Sequence, residues 1–112
     1  MKRICLTLDL KNDPQLIAAY ESYHCKEQIW PEIVLGIKAC GIREMEIYRV
    51  STRLVMILGT EDTFDLKTGF AKMLQMPRQK EWAELMEHFQ QRLSFANPGE
   101  LWIEMNRIFQ LN

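Results

Sequence analysis

A chain of 112 residues with 14 Lys and Arg against 15 Asp and Glu carries a net charge of −1, too little field to draw nucleic acid or an anionic membrane surface. Its 47% hydrophobic and 26% charged residues are those of one soluble globular domain over residues 1–112, long enough to bury a real core. No apolar run approaches a bilayer span, and the stretch behind Met1-Lys2-Arg3 is interrupted at Thr7 and Asp9, unlike a signal peptide.

Ile4, Leu6, Leu8 and Leu10 alternate with Cys5, Thr7 and Asp9, which predicts a strand with one buried face. Asp13-Pro14 fits a helix cap followed by Pro at the first helical position. Leu16, Ile17, Tyr20, Tyr23 and His24 then recur at helical spacing, and the helix is expected to end near Glu27, because Trp30 precedes a proline. Pro31 begins a second helix through Ile33, Val34 and Ile37, with Gly41 as its stop. Glu44 to Val50 alternates charged and apolar residues as a strand does, Ser51-Thr52-Arg53 suits a hairpin, and Leu54 to Gly59 reads as a strand buried on both faces.

Asp62 and Thr63 can cap a further helical region carrying Phe64, Leu66, Phe70, Met73 and Leu74, weakened by Gly69 and broken at Met76-Pro77. The next helix shows Trp82, Leu85, Met86, Phe89 and Leu93 on one stripe, and after the turn Asn97-Pro98-Gly99 the alternation from Leu101 to Leu111 predicts a last strand. The order β-α-β-β-α-β is the ferredoxin-like α+β pattern: an antiparallel sheet with helices on one face. The other face would lie bare in a monomer, so a homodimer closing two sheets into an α/β barrel is expected.

Chemistry is concentrated between Tyr20 and Glu32. Tyr20 and His24 are spaced i, i+4 and share a helix face. A phenol and an imidazole side by side suit binding a polyol and moving its protons; an ordinary surface histidine has the same spacing. Trp82 is either a core residue or a platform for the apolar face of a pyranose, and Trp30 reads as a corner plug. His88 lies beside its apolar stripe and suits a solvated surface. The two histidines show no ligand spacing, and no metal site is expected. Cys5, Cys25 and Cys40 are odd in number and irregularly spaced, which argues for reduced thiols in the cytoplasm.

Over essentially its whole length the chain resembles the L-rhamnose mutarotase family. The residues that carry the likeness are Arg3-Ile4-Cys5-Leu6-Thr7-Leu8, Tyr20-x-x-x-His24 followed by Ile29-Trp30-Pro31-Glu32, Gly41 before a strand ending in Ile47-Tyr48, and Glu81-Trp82-Ala83-Glu84-Leu85-Met86. The resemblance implies a cofactor-free enzyme interconverting the α and β anomers of a 6-deoxyhexose monosaccharide, L-rhamnose or L-fucose. It places the proton-donor role on His24 and sugar binding on Tyr20 and Trp82. Two substrate-binding positions of the family carry different residues here, Glu81 for the first tryptophan of a pair and Met45 for a tyrosine. The segment between His24 and Trp30 is also two residues longer. These changes bear on the pocket walls more than on the acid-base group. Other occupants of the same scaffold are a cofactor-free oxygenase and a non-catalytic sugar-binding dimer.

Overall fold

A computed structural model describes all 112 residues. Strand β1 (Lys2–Leu10) is the spine of the sheet. It pairs antiparallel along its length with β3 (Arg53–Thr60), which pairs on its far side with β2 (Ile42–Val50). The remaining edge of β1 is shared by two short segments, β4 (Gln90–Gln91) against Asp9–Leu10 and β5 (Ile103–Glu104) against Leu6–Thr7. The path β2-β3-β1-β4 is the ferredoxin-like order, all antiparallel. Each helical crossing holds two helices: α1 (Pro14–Tyr23) and α2 (Pro31–Ala39), then α3 (Leu66–Met73) and α4 (Gln79–Glu87). No helix is long and apolar enough to cross a membrane.

The period of two decides the two faces of this sheet. Ile4, Leu6, Leu8 and Leu10 of β1 and Leu54, Met56 and Leu58 of β3 are buried beneath the helices. Their alternates Cys5, Val55 and Ile57 are half-buried, and Tyr48 and Val50 on β2 are exposed. The expectation that 54–59 is buried on both faces is therefore corrected for the single chain: on its second face Val55 and Ile57 are only half-buried.

Other boundaries move for identifiable reasons. Asp13 caps α1 by accepting from the N–H groups of Gln15 and Leu16, but the helix stops at Tyr23, one turn before Glu27. There the backbone tightens, with the His24 N–H donating to the Glu21 carbonyl and that of Cys25 to Ser22. The cap of α3 is Asp65, which accepts from the N–H and hydroxyl of Thr68, not Asp62 or Thr63, because Phe64 must first turn into the core. The expected stripe through Leu93 ends as a helix at Glu87. The last strand is the largest difference: of 101–111 only Ile103–Glu104 pairs. Gln90–Gln91 takes the β1 edge at Asp9–Leu10, where residues before Ile103 would have continued; beyond Met105, whose N–H still donates to the Cys5 carbonyl, no further pairing forms.

Gly69 has a use that its helix propensity hides. A Cβ there would meet Phe64 Cε1 at 2.4 Å and Cζ at 2.6 Å, and Phe64 is buried. Alanine in a helix gains about 1 kcal/mol over glycine, whereas overpacking a core costs about 1–3 kcal/mol. Gly69→Ala is therefore expected to lower stability by about 1 kcal/mol net, read as a lower urea midpoint at unchanged slope; a raised midpoint would show that Phe64 can move aside.

Candidate active site

The C-terminal turn of α1 leaves its last carbonyls without intrahelical partners. His24 uses its side chain to satisfy one of them: Nδ1 lies 2.7 Å from the carbonyl oxygen of Tyr20. A carbonyl only accepts, so Nδ1 carries the hydrogen in this contact. That leaves Nε2 as the nitrogen free for chemistry, an acceptor while the ring is neutral and a donor once it is protonated. Burial holds the pKa of His24 below the ordinary 6.5, with the Tyr20 carbonyl pulling the other way. The neutral ring therefore prevails at neutral pH.

Aromatic rings fix this imidazole in place. The ring of Tyr20 lies 4.4 Å from it and that of Trp82, on α4, 5.4 Å away in an edge-to-face arrangement. Trp82 also meets Tyr23 at 6.2 Å and Trp30 at 5.2 Å, both edge-on. The Arg78 guanidinium sits 3.9 Å above the Trp30 ring and pairs with Glu32 and Glu81, so one cation ties α2 to the start of α4. Arg78 adopts a left-handed backbone, φ 64, which a non-glycine residue takes only under constraint; these three contacts supply it.

Tyr20 is only 4% exposed. Burial pushes its phenol up to about 12, with the Gln90 side chain working in the opposite direction. The phenol thus keeps its proton at any physiological pH. Phe89 backs it at 6.1 Å, and Leu10, Leu54 and Met86 complete the apolar cluster.

The structure brings together Tyr20, His24 and Trp82, and adds Tyr23 and Trp30. Two further positions fall elsewhere. Met45, on β2, packs with the separate cluster around Ile4, Leu6, Cys40, Met56 and Phe64. Glu81 is exposed and paired with Arg78; it is one residue from Trp82, which on a helix turns it about 100° away. Asp9, an acid-base candidate by its charge alone, alternates with the buried Leu8 and Leu10, so it faces the opposite side of the sheet and is bonded to Arg53 at 2.6 Å. Trp102 was legible only as part of a strand. One residue before Ile103, it falls on the helix-covered side and packs against both apolar clusters. Two surface grooves are lined by other residues. One is lined by Arg78, Lys80, Glu81 and neighbours, the other by Lys38, Glu61, Asp65, Lys72 and neighbours, and neither contains an imidazole.

The family model described as L-rhamnose mutarotase matches residues 3–111. The chain is 41% identical over 112 residues to an L-fucose mutarotase of Xanthomonas campestris pv. campestris, covering 100% of this chain and 90% of that protein. It is 34% identical over 115 residues to a UPF0734 protein of Dictyostelium discoideum, covering 99% and 90%. Among solved structures it resembles an L-rhamnose mutarotase from Formosa agariphila, with a TM-score of 0.71 and 21% identity over 100% of both chains. It also resembles the tetracenomycin F2 cyclase of Streptomyces glaucescens, a type-II polyketide cyclase, with a TM-score of 0.64 and 16% identity over 100% of this chain and 98% of that one. At those identities the two structures speak for the fold.

Proposed function

The chain belongs to the L-rhamnose mutarotase family of carbohydrate isomerases, and on that premise we propose that it interconverts the α and β anomers of a 6-deoxyhexose, with L-fucose and L-rhamnose as the substrates to try first. The likeness to an L-fucose mutarotase favours L-fucose of the two. The observation that carries the catalytic assignment is the His24 Nδ1 contact to the Tyr20 carbonyl at 2.7 Å, which leaves Nε2 as the reacting nitrogen.

Anomers exchange through the open-chain aldehyde. In the opening step Nε2 of neutral His24 takes the proton of the anomeric hydroxyl, the bond between C1 and the ring oxygen breaks, and the ring oxygen takes a proton from water, which receives it back when the ring closes. After rotation about the C1–C2 bond, the C5 hydroxyl loses its proton as it attacks the other face of the carbonyl, and the imidazolium returns its proton to the oxygen on C1. His24 is thus the proton donor in closure and the acceptor in opening, as microscopic reversibility requires. The Tyr20 phenol, held protonated, is the donor nearest to the imidazole, and Trp82 offers an aromatic face to the pyranose. Proton transfers alone complete the cycle, so this chemistry calls for no metal or cofactor.

Residues 1–112 act as a single domain in this reading, and the working unit is a homodimer. Support comes from the uncovered sheet face with Tyr48, Val50, Val55 and Ile57, and from a C-terminal segment whose Ile108 is 96% and Phe109 68% exposed. All three cysteines are free, which suits the cytoplasm. Saturation-transfer NMR on L-fucose and L-rhamnose tests the function. We expect faster exchange between anomer signals with enzyme present; exchange at the buffer rate for both sugars would remove this reading.

A further inference from the structure

Two non-glycine residues have a positive φ, Ser51 at 53 and Arg78 at 64. Ser51 sits in the turn between β2 and β3, where such a backbone is ordinary. Arg78 follows Pro77 and stands directly before α4. Glycine takes a left-handed backbone without strain, and arginine does not. The Arg78 side chain makes no cap hydrogen bond to the helix. Its pairs with Glu32 and Glu81 are both 3.5 Å long and open to solvent, where ion pairs add little to stability. Glycine would serve folding better here, so the side chain suggests a use outside the fold.

That side chain leads to the candidate site. The guanidinium lies 3.9 Å above the half-buried Trp30 ring, a stacking contact that suits its planar cation. Pro31 confines the backbone of Trp30 to the extended region, where it stands at φ −68 and ψ 128. Trp30 then meets Trp82 at 5.2 Å, and Trp82 meets His24 at 5.4 Å, both edge-to-face. The Trp82 N–H also donates to the Arg78 carbonyl at 3.0 Å. Arg78 thus reaches Trp82 by two routes, through the first turn of α4 and through the Trp30 ring. The hydrogen bond at Nδ1 fixes one point of the imidazole. The tilt of its plane, and so the aim of Nε2, is set by the rings packed on it, Tyr20 and Trp82.

We propose that Arg78 is a positioning residue for proton transfer: by holding Trp30 against Trp82 it fixes the tilt of the His24 imidazole and so the direction of Nε2. In this role Arg78 exchanges no proton and acts only through the two indole rings. Its left-handed backbone belongs to the same device. With φ at 64, one residue starts α4 and lays its side chain over the start of α2. A reacting group displaced by about 1 Å can lose about 10²-fold in rate, so a contact two rings away is felt at the imidazole.

The inference rests on the mutarotase reading for its kinetics, and one readout needs no sugar. The chain has two histidines, and His88 is exposed at the far end of α4. NMR reads the ring-current shifts of the carbon-bound imidazole protons of His24, with His88 as internal control, in wild type, Arg78→Gly, Arg78→Lys and Trp30→Leu. Arg78→Gly suits the left-handed turn and removes the side chain, so its urea midpoint should stay near wild type. The His24 signals are expected to move in Arg78→Gly and in Trp30→Leu, and to move less in Arg78→Lys, which keeps a cation without the planar face. Those of His88 should stay. On the faster of L-fucose and L-rhamnose, kcat should fall about 10-fold in Arg78→Gly with a smaller change in KM, and Arg78→Lys should recover part of it. A variant carrying both Arg78→Gly and Trp30→Leu should be no slower than the slower single variant, because both break one line of contacts. Unmoved His24 signals or a wild-type kcat in Arg78→Gly would overturn the proposal, as would losses that multiply in the double variant. No exchange by wild type on either sugar would remove the mutarotase reading, while the His24 signals would still decide whether Arg78 sets the imidazole. If circular dichroism shows Arg78→Gly unfolded, Arg78→Lys decides by the same two readings.

Discussion

Replacing His24 by alanine is expected to slow anomer exchange by about 10²–10⁴-fold, the usual worth of a positioned acid-base group, while the far-ultraviolet circular dichroism stays that of the wild type. His24 is half-buried at a helix end, and the carbonyl it leaves on Tyr20 can turn to water, so the stability cost is about 1 kcal/mol. Wild-type exchange rates in His24→Ala would take the imidazole out of the mechanism. The pH profile separates its two possible resting forms. Burial holds the pKa below 6.5, so the neutral ring that accepts the first proton persists at neutral pH, and kcat/KM should be flat there and fall on acidification with a midpoint below 6.5. A rate that rose on acidification would instead make the imidazolium the resting form. Stability follows the same sign. A depressed folded-state pKa contributes stability that is full above the unfolded value and lost as pH falls through the folded one. His24→Ala should therefore lose less stability than wild type between neutral and mildly acid pH.

Neighbouring residues on β3 are expected to fail in opposite ways. Leu58 is fully buried under the helices, between Ile4 and Met45 in the strand pairings. Leu58→Ala should cost about 2–5 kcal/mol, a large part of the 5–15 kcal/mol that holds an ordinary domain folded. Its urea midpoint should drop sharply at every protein concentration. Ile57, one residue earlier, faces the uncovered side opposite Cys5. Ile57→Asp should keep the monomer's fold yet abolish the dimer, seen by sedimentation as a halved mass, because a buried unpaired carboxylate opposes association. A wild type that sediments as a monomer would remove the dimer, and an Ile57→Asp protein that stays dimeric would place the contact between chains elsewhere.

Much of this molecule is written into local chemistry. The alternation Ile4-Leu6-Leu8-Leu10 determined a strand and its buried face, because the side-chain period of a strand is two regardless of its neighbours. Asp13-Pro14 and Pro31 determined two helix starts, since a cap and a fixed φ act within one turn. The i, i+4 spacing of Tyr20 and His24 determined that the two rings meet. None of these depends on anything more than a few residues away.

Tertiary structure decided the rest, wherever two segments compete for one partner or a residue belongs to a helix and a site at once. Residues 101–111 alternate like a strand, yet only Ile103–Glu104 pairs: Gln90–Gln91 takes the stretch of β1 that residues before Ile103 would need, and the Lys2–Ile4 stretch beyond stays unpaired on that edge; a pattern states that a segment can pair, not that it does. Gly69 looks like a weak point in a helix until Phe64 is found lying against it. Trp82 and, as a departure from the family pattern, Met45 both stood at pocket positions in the sequence, but Met45 falls in the cluster around Ile4 while Trp82 crosses to His24. Gln90 carried no signal at all. A glutamine after a helix is ordinary, and it becomes informative only when the fold buries it with its carbonyl unpaired, because the cost of an unpaired polar atom is set by what surrounds it in space.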